Sequence, residues 1–275
     1  MKIGGQAVIE GVMLKSEKKV ATAVRILKTG KIKVKVNRVK KTPRFFKLPF
    51  IRGIYVLIES MVVGMKALTW SSNQNLEEGE KIKKGEIVLT IAISLILGLG
   101  FFVGLPYLIT HFFIKEKGWL FGLVEGLLRA IVLLGYLFFI GFSKEVKRLF
   151  QYHGAEHKVV NCYEAGKKVT VRNVKKYSFL HARCGTAFIF IVLILSIIIF
   201  SFLRVDWWGL LWKFLLVPVI AGLSYEILKL GDRFKGRFWV TLLIWPGLRL
   251  QKLTAREPDN KQIEVAIAAF ERVKD

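Results

Sequence analysis

Two kinds of apolar pattern alternate along this chain: long unbroken runs, and short segments in which apolar residues recur with a period. Residues 87–114, 119–142, 187–203 and 208–228 are runs of the first kind, close to the roughly 20 apolar residues that cross a bilayer as a helix. Only residues 115–118 separate the first pair and 204–207 the second, so two helical hairpins are expected. Gly98, Gly100, Gly104 and Pro106 predict a tilt or kink in the first run.

The periodic segments flank these runs. Alternation in Ala7-Val8-Ile9, in residues 20–26 and in residues 31–36 predicts a small β element, with Thr29-Gly30 supplying a turn. Lysines alternate through the last of these, as expected of a solvated sheet edge. After Pro43 and Pro49 the period changes: Ile51, Ile54, Tyr55, Ile58, Met61, Val62, Met65 and Leu68 share one helical face. That helix either lies in a membrane interface or packs across the spans, and its basic flank favours the interface. Near the end, residues 238–248 are too few to cross and suit an interfacial or re-entrant piece, and residues 263–273 suit a soluble helix. The expected fold is an α-helical integral membrane protein with about four transmembrane helices in two hairpins, a small N-terminal cytosolic β element and an interfacial amphipathic helix. Its expected parts are 1–48 (β element), 49–85 (interfacial helix and linker), 86–142 (first hairpin), 143–186 (cytosolic His/Cys-bearing loop), 187–230 (second hairpin) and 231–275 (interfacial segment and soluble helix).

Composition agrees with this picture and charge orients it. A hydrophobic content of 53% and a mean hydropathy of +0.43 exclude an ordinary soluble domain. The net charge is +24, with 19 Lys/Arg up to Gly85, 10 in residues 143–186 and 10 from Lys229 onward. The hairpin turns hold 2 and 1, so the positive-inside rule places both termini and the central segment in the cytosol. Residues 4–14 are short and contain Glu10, which argues against a signal peptide. The two cysteines form no disulfide framework.

The chemistry concentrates in the central segment. In His153-Gly154-Ala155-Glu156-His157, the histidines are four apart on a helix and can present two imidazoles to one cation. Glu156 completes an H-x-x-E-H pattern, in which the glutamate acts as general base toward water at a metal. His181 or Cys184 is expected to complete the coordination sphere, with zinc the favoured divalent ion. The bland alternatives are an ion pair of Glu156 with Lys158 or Arg183, and simple capping and packing by His181 and Cys184. Within the spans, Glu125 and Arg129 can pair, and with Glu226 they would be the residues of an ion or substrate path. Lys213 is expected to snorkel.

Three blocks resemble the YqhQ-like bacterial membrane proteins, a family of unknown function described as predicted metal-dependent enzymes. They are residues 4–13, 152–158 and 181–186, and the Arg256-Glu257-Pro258-Asp259 tail is similar too. Ala182 stands where that family often has proline. The resemblance implies a bacterial inner (cytoplasmic) membrane location and groups Gln6, Glu10 and Arg183 with the central motif as supporting residues. The expected function is a metal-dependent hydrolase of unnamed substrate. The alternative is a non-enzymatic membrane factor whose basic cytosolic face docks a ribosome or translocon, or anionic lipid head groups.

Overall fold

The computed structural model describes residues 3–39, 42–80, 84–115, 118–181, 183–203, 206–234 and 237–274. Parts of both hairpin turns, the Lys40-Lys41 end of the basic run and Ala182 therefore lie outside the described residues. The protein is mostly helical, with one small antiparallel sheet at its N-terminus.

The sheet holds four strands in sequence order: β1 (Gly4–Val8), β2 (Gly11–Lys15), β3 (Lys19–Arg25) and β4 (Ile32–Arg38). Residues 4–13 are not one strand, because the chain reverses at Ile9-Glu10 so that Val8 pairs with Gly11. Glu10 makes the reversal in the left-handed region, at φ 53°, which is uncommon outside glycine. β2 escapes an alternation search for a physical reason: it is buried on both faces, so no polar face marks it. Gly30, at φ 71°, closes the β3–β4 connection as expected. β4 is an edge strand with Lys33 and Lys35 exposed, and Lys35 lies over the Trp70 ring.

Two helical layers cover this sheet. On one face Val12, Leu14, Ala21 and Ala23 share a core with α5 (Lys144–Glu164) and α10 (Asn260–Lys274), through Tyr152, Ala155, Val159, Ile263, Ala266 and Phe270. On the other, Val8, Met13, Val20 and Val24 pack on α1 (Ile51–Asn73) at Ala67 and Trp70. The N-terminal, central and C-terminal segments thus build one body, and the expected soluble helix is one of its walls.

The large apolar residues of α1 are not the ones it buries. Gly53, Gly64, Ala67 and Ser71 face inward, whereas Ile58, Met61 and Val62 are exposed. Small residues let the backbone of α1 approach α8 (Trp207–Arg233) closely, and Arg52 pairs with Glu226 across that contact. Glu226 is therefore a tie between helices and stands apart from Glu125.

Among the described residues, three helices, Gly85–Phe113, Trp119–Ile140 and Leu211–Gly231, are long and apolar enough to cross a membrane, and Gly185–Ser201 is a shorter apolar helix. The first comprises α2 (Lys84–Leu99), a π-helical turn at Gly100–Gly104 and α3 (Leu105–Phe113). The wide turn falls where the glycines precede Pro106, whose ring and missing N–H disrupt regular α geometry. α4 (Trp119–Ile140) follows, and α5 begins after a short break capped by Ser143. After the short α6 (Val171–Val174), α7 (Gly185–Ser201) packs against α4, α8 and α9 (Phe238–Thr254). α9 runs 17 residues, past the 238–248 stretch expected, because its polar C-terminal half docks on the site described below.

Between α4 and α8 the Glu125–Arg129 pair gains a third member. Lys213 is buried and bonds the Glu125 carboxylate from α8, while Arg129 also reaches Ser196 on α7. This corrects the snorkelling expectation: the ammonium finds a carboxylate on a neighbouring helix, closer to hand than an interface.

Candidate metal centre

α5 presents His153, His157 and Asn161 as one stripe with a spacing of four. The two imidazoles lie one turn apart along it, with ring centroids 4.4 Å apart and planes tilted by 59°. Each is oriented by a backbone carbonyl: His153 Nδ1 lies 2.7 Å from the Thr254 oxygen and His157 Nδ1 lies 2.6 Å from the Phe179 oxygen. A carbonyl oxygen only accepts, so each Nδ1 carries the hydrogen and each neutral ring keeps its lone pair at Nε2. Metal-bound histidines are held in the same way, by a donated ring N–H.

Opposite the pair, Cys184 caps the N-terminus of α7, its sulfur accepting from the Thr186 N–H at 3.4 Å. Its Sγ lies 3.2 Å from His153 Nε2. Ligand atoms of His153, His157 and Cys184 all fall within 4.8 Å of one another, so these three residues could hold a metal ion. The cluster lines a small cavity of about 250 Å³ together with Ile3, Gly4, Gly5, Glu156, His181, Arg183 and Gly185.

Glu156 sits inside that wall, with a carboxylate oxygen 3.6 Å from His157 Nε2. Burial pushes its carboxyl up to about 7, against the opposing influence of His153 and Arg183. The β1 backbone covers it: a Cβ on Gly5 would come within 3.0 Å of the Glu156 Cγ and 2.4 Å of the Met13 oxygen.

His181 borders the cluster without joining it. Its ring lies 5.6 Å from that of His157, but its Nε2 faces Glu164 at 3.5 Å and its Nδ1 receives the Arg183 N–H. Glu164 also pairs with Arg183, so the last residue of α5 holds two site residues. Between His181 and Cys184, the geometry favours the cysteine. Cys162 lies outside the site, and burial raises its thiol as in an inert core cysteine.

The supporting residues expected from the N-terminal block separate. Glu10 engages Arg148 and the Tyr152 hydroxyl of α5, which fixes that helix against the β1–β2 turn. Burial and the neighbouring Glu10 carboxylate both raise the Tyr152 phenol. Gln6 lines a second, larger cavity described below.

The remaining supports, Gln251 and Asn161, are not among the expected residues. Gln251 is fully buried and clamps the His181 backbone, accepting its N–H at 2.9 Å and donating to its C=O at 2.8 Å. Asn161 donates to the Ser178 and Leu180 carbonyls at 2.8 and 3.0 Å, holding the segment whose Phe179 carbonyl orients His157. Its place in the α5 stripe is the one clue the chain offers. Asn161→Ala is expected to weaken metal binding about ten- to hundredfold, the usual effect of losing an outer support. Competition with a chromophoric chelator would measure it, and unchanged affinity would remove Asn161 from the site.

Gly154 has its own reason. A Cβ there would lie 1.9 Å from the Arg256 carbonyl oxygen, so only glycine lets the tail approach α5. Arg256 continues that contact by donating its N–H to the Phe150 carbonyl at 2.9 Å. Alanine would gain about 1 kcal/mol of helix propensity. The clash is with backbone, which cannot swing away, and overpacking costs about 1–3 kcal/mol. Gly154→Ala should therefore lower the melting temperature, and a variant as stable as the parent would contradict this contact.

These features define a class: a mostly helical protein with apolar helices long enough to span a membrane, and a largely buried cluster of two histidines and one cysteine. The chain belongs to the DUF1385 family of proteins of unknown function, whose model matches residues 48–275. It is similar to Uncharacterized protein YqhQ of Bacillus subtilis (strain 168), at 37% identity over 288 residues, covering 97% of this chain and 90% of that protein. No solved structure matches the chain.

Proposed function

We propose that this protein is a multi-pass protein of the bacterial inner membrane with a cytosol-facing divalent-metal site, and that it is a metal-dependent hydrolase. One observation carries the reading: both Nδ1 atoms of the His153/His157 pair are engaged by backbone carbonyls, which leaves two Nε2 lone pairs beside the Cys184 sulfur. Two imidazoles and a thiolate form a donor set suited to zinc, and three protein ligands are the number found in catalytic rather than structural zinc sites. The α7 N-terminus favours the negative charge a thiolate ligand carries. Lys and Arg excess in the sheet, α5 and tail segments supports the cytosolic side.

A bound ion there would supply Lewis acidity toward a carbonyl or phosphoryl oxygen and make water a better nucleophile. Glu156 is the proton carrier: it accepts the proton of the attacking water and delivers it to the leaving group. The hydroxyl passes to the electrophilic carbon or phosphorus as the bond to the leaving group breaks. Arg183, tethered by Glu164, borders the same cavity and orients an anionic substrate oxygen. Elemental analysis of detergent-purified protein tests the site directly. Stoichiometric zinc is expected, and metal-free native protein overturns it.

A further inference from the structure

The His153/His157/Cys184 cluster stands at the wall between two cavities of different polarity. The small one is the more polar, with Glu156, His157 and His181 in its lining. The other has a volume of about 770 Å³, inside the range of about 300–1,000 Å³ that encloses small-molecule ligands. His153, Arg183 and Cys184 border both, so a molecule lying across the wall would have one end at the cluster. Most of the surface the large chamber exposes is apolar, with Met13 from β2, Leu57 and Val63 from α1, Phe188 from α7 and Leu228 from α8, while Lys15, Ser16 and Glu17 border it at the end of β2.

Two of those residues locate the chamber with respect to the apolar helices. Phe188 lies in the first turn of α7, and Leu228 lies within the long apolar segment Leu211–Gly231. The chamber thus begins at a cluster of water-seeking groups and runs alongside α7 and α8, whose outer surfaces are hydrocarbon-like, with Ile189, Ile194, Leu215 and Val219 exposed. A wholly polar molecule would leave the apolar surface of that chamber uncovered. A molecule with one polar, reactive end and a long apolar remainder would match both ends.

We infer that the chamber holds the hydrocarbon chain of a membrane lipid whose polar head group lies at His153, His157 and Cys184. The inference rests on the hydrolase reading for the role of the head group. The chamber itself is a separate feature and is tested separately.

The experiment places the full-length protein in phospholipid nanodiscs containing a phospholipid with a photoreactive diazirine near the end of its acyl chain. Illumination and peptide mass spectrometry then locate the adducts. Adducts are expected on Leu57, Val63 or Phe188, in addition to those that surrounding lipid leaves on Leu97, exposed on the first helix. Filling the chamber with Leu57→Trp/Val63→Trp should abolish the Phe188 adducts and leave the Leu97 adducts unchanged, which also reports that the filled variant is folded. The single Leu57→Trp, a milder change, should move the result in the same direction. Absence of chamber adducts, or adducts indifferent to filling, overturns the assignment. Metal content of the same sample separates the two readings. Stoichiometric metal without chamber adducts overturns the lipid and leaves the centre standing, whereas chamber adducts in metal-free protein support the lipid and remove the hydrolase.

Discussion

His153→Ala/His157→Ala is expected to lose the bound metal and, with it, the part of the thermal stability that depends on metal. The double variant removes two of the three donors of the cluster and leaves Cys184. A ligand that binds only the folded state stabilises it by RT ln(1 + [L]/Kd), about 4 kcal/mol when the free ligand exceeds Kd a thousandfold. A chelator should therefore lower the melting temperature of the parent and leave that of the double variant unchanged. The hydrogen bonds to the Thr254 and Phe179 carbonyls are lost as well, so the variant should start below the parent even without chelator. Cys184→Ser separates the two effects, since it keeps both imidazoles and their carbonyl partners while exchanging a soft donor for a weak one. Equal chelator sensitivity in all three proteins would show that whatever metal they carry sits elsewhere.

Glu125→Ala should be the most destabilising single substitution in the apolar helices. Glu125 is fully buried and binds both Arg129 and Lys213, themselves 7% and 2% exposed. Its removal leaves two like charges without their counter-ion at a depth where water cannot replace it. Breaking a buried pair in this way costs about 3–5 kcal/mol. Replacing the whole triad by Glu125→Leu/Arg129→Leu/Lys213→Met should recover much of that loss, because a buried ion cluster exchanged for apolar groups of similar volume is often neutral or stabilising. Thermal unfolding in detergent measures both. If Glu125→Ala unfolds with the parent, or the triple variant is worse than the single one, the triad does not hold α4 to α8.

The histidine stripe was legible because it is local: a spacing of four on a helix puts two imidazoles together whatever the rest of the chain does. The apolar runs were legible for a similar reason, since length and composition alone decide whether a helix can cross hydrocarbon. The third ligand was not. His181 and Cys184 are three residues apart and equally plausible in sequence. The choice follows from Glu164 and Gln251 engaging the histidine and from α7 starting at the cysteine. β2 was missed because burial on both faces erases the alternation that marks a strand.

By itself, then, the sequence determined the apolar helices, the amphipathic α1, the basic edge strand and the paired histidines with their glutamate. All are consequences of periodicity, composition or short spacing. Tertiary structure decided which face of α1 is buried, that Lys213 joins Glu125, that Cys184 rather than His181 faces the histidines, and that Gly154 exists to admit the Arg256 carbonyl. Each of these depends on which distant segment arrives against a residue. The carbonyl that orients His153 belongs to a helix 101 residues further along the chain, and no local pattern near the histidine records its approach.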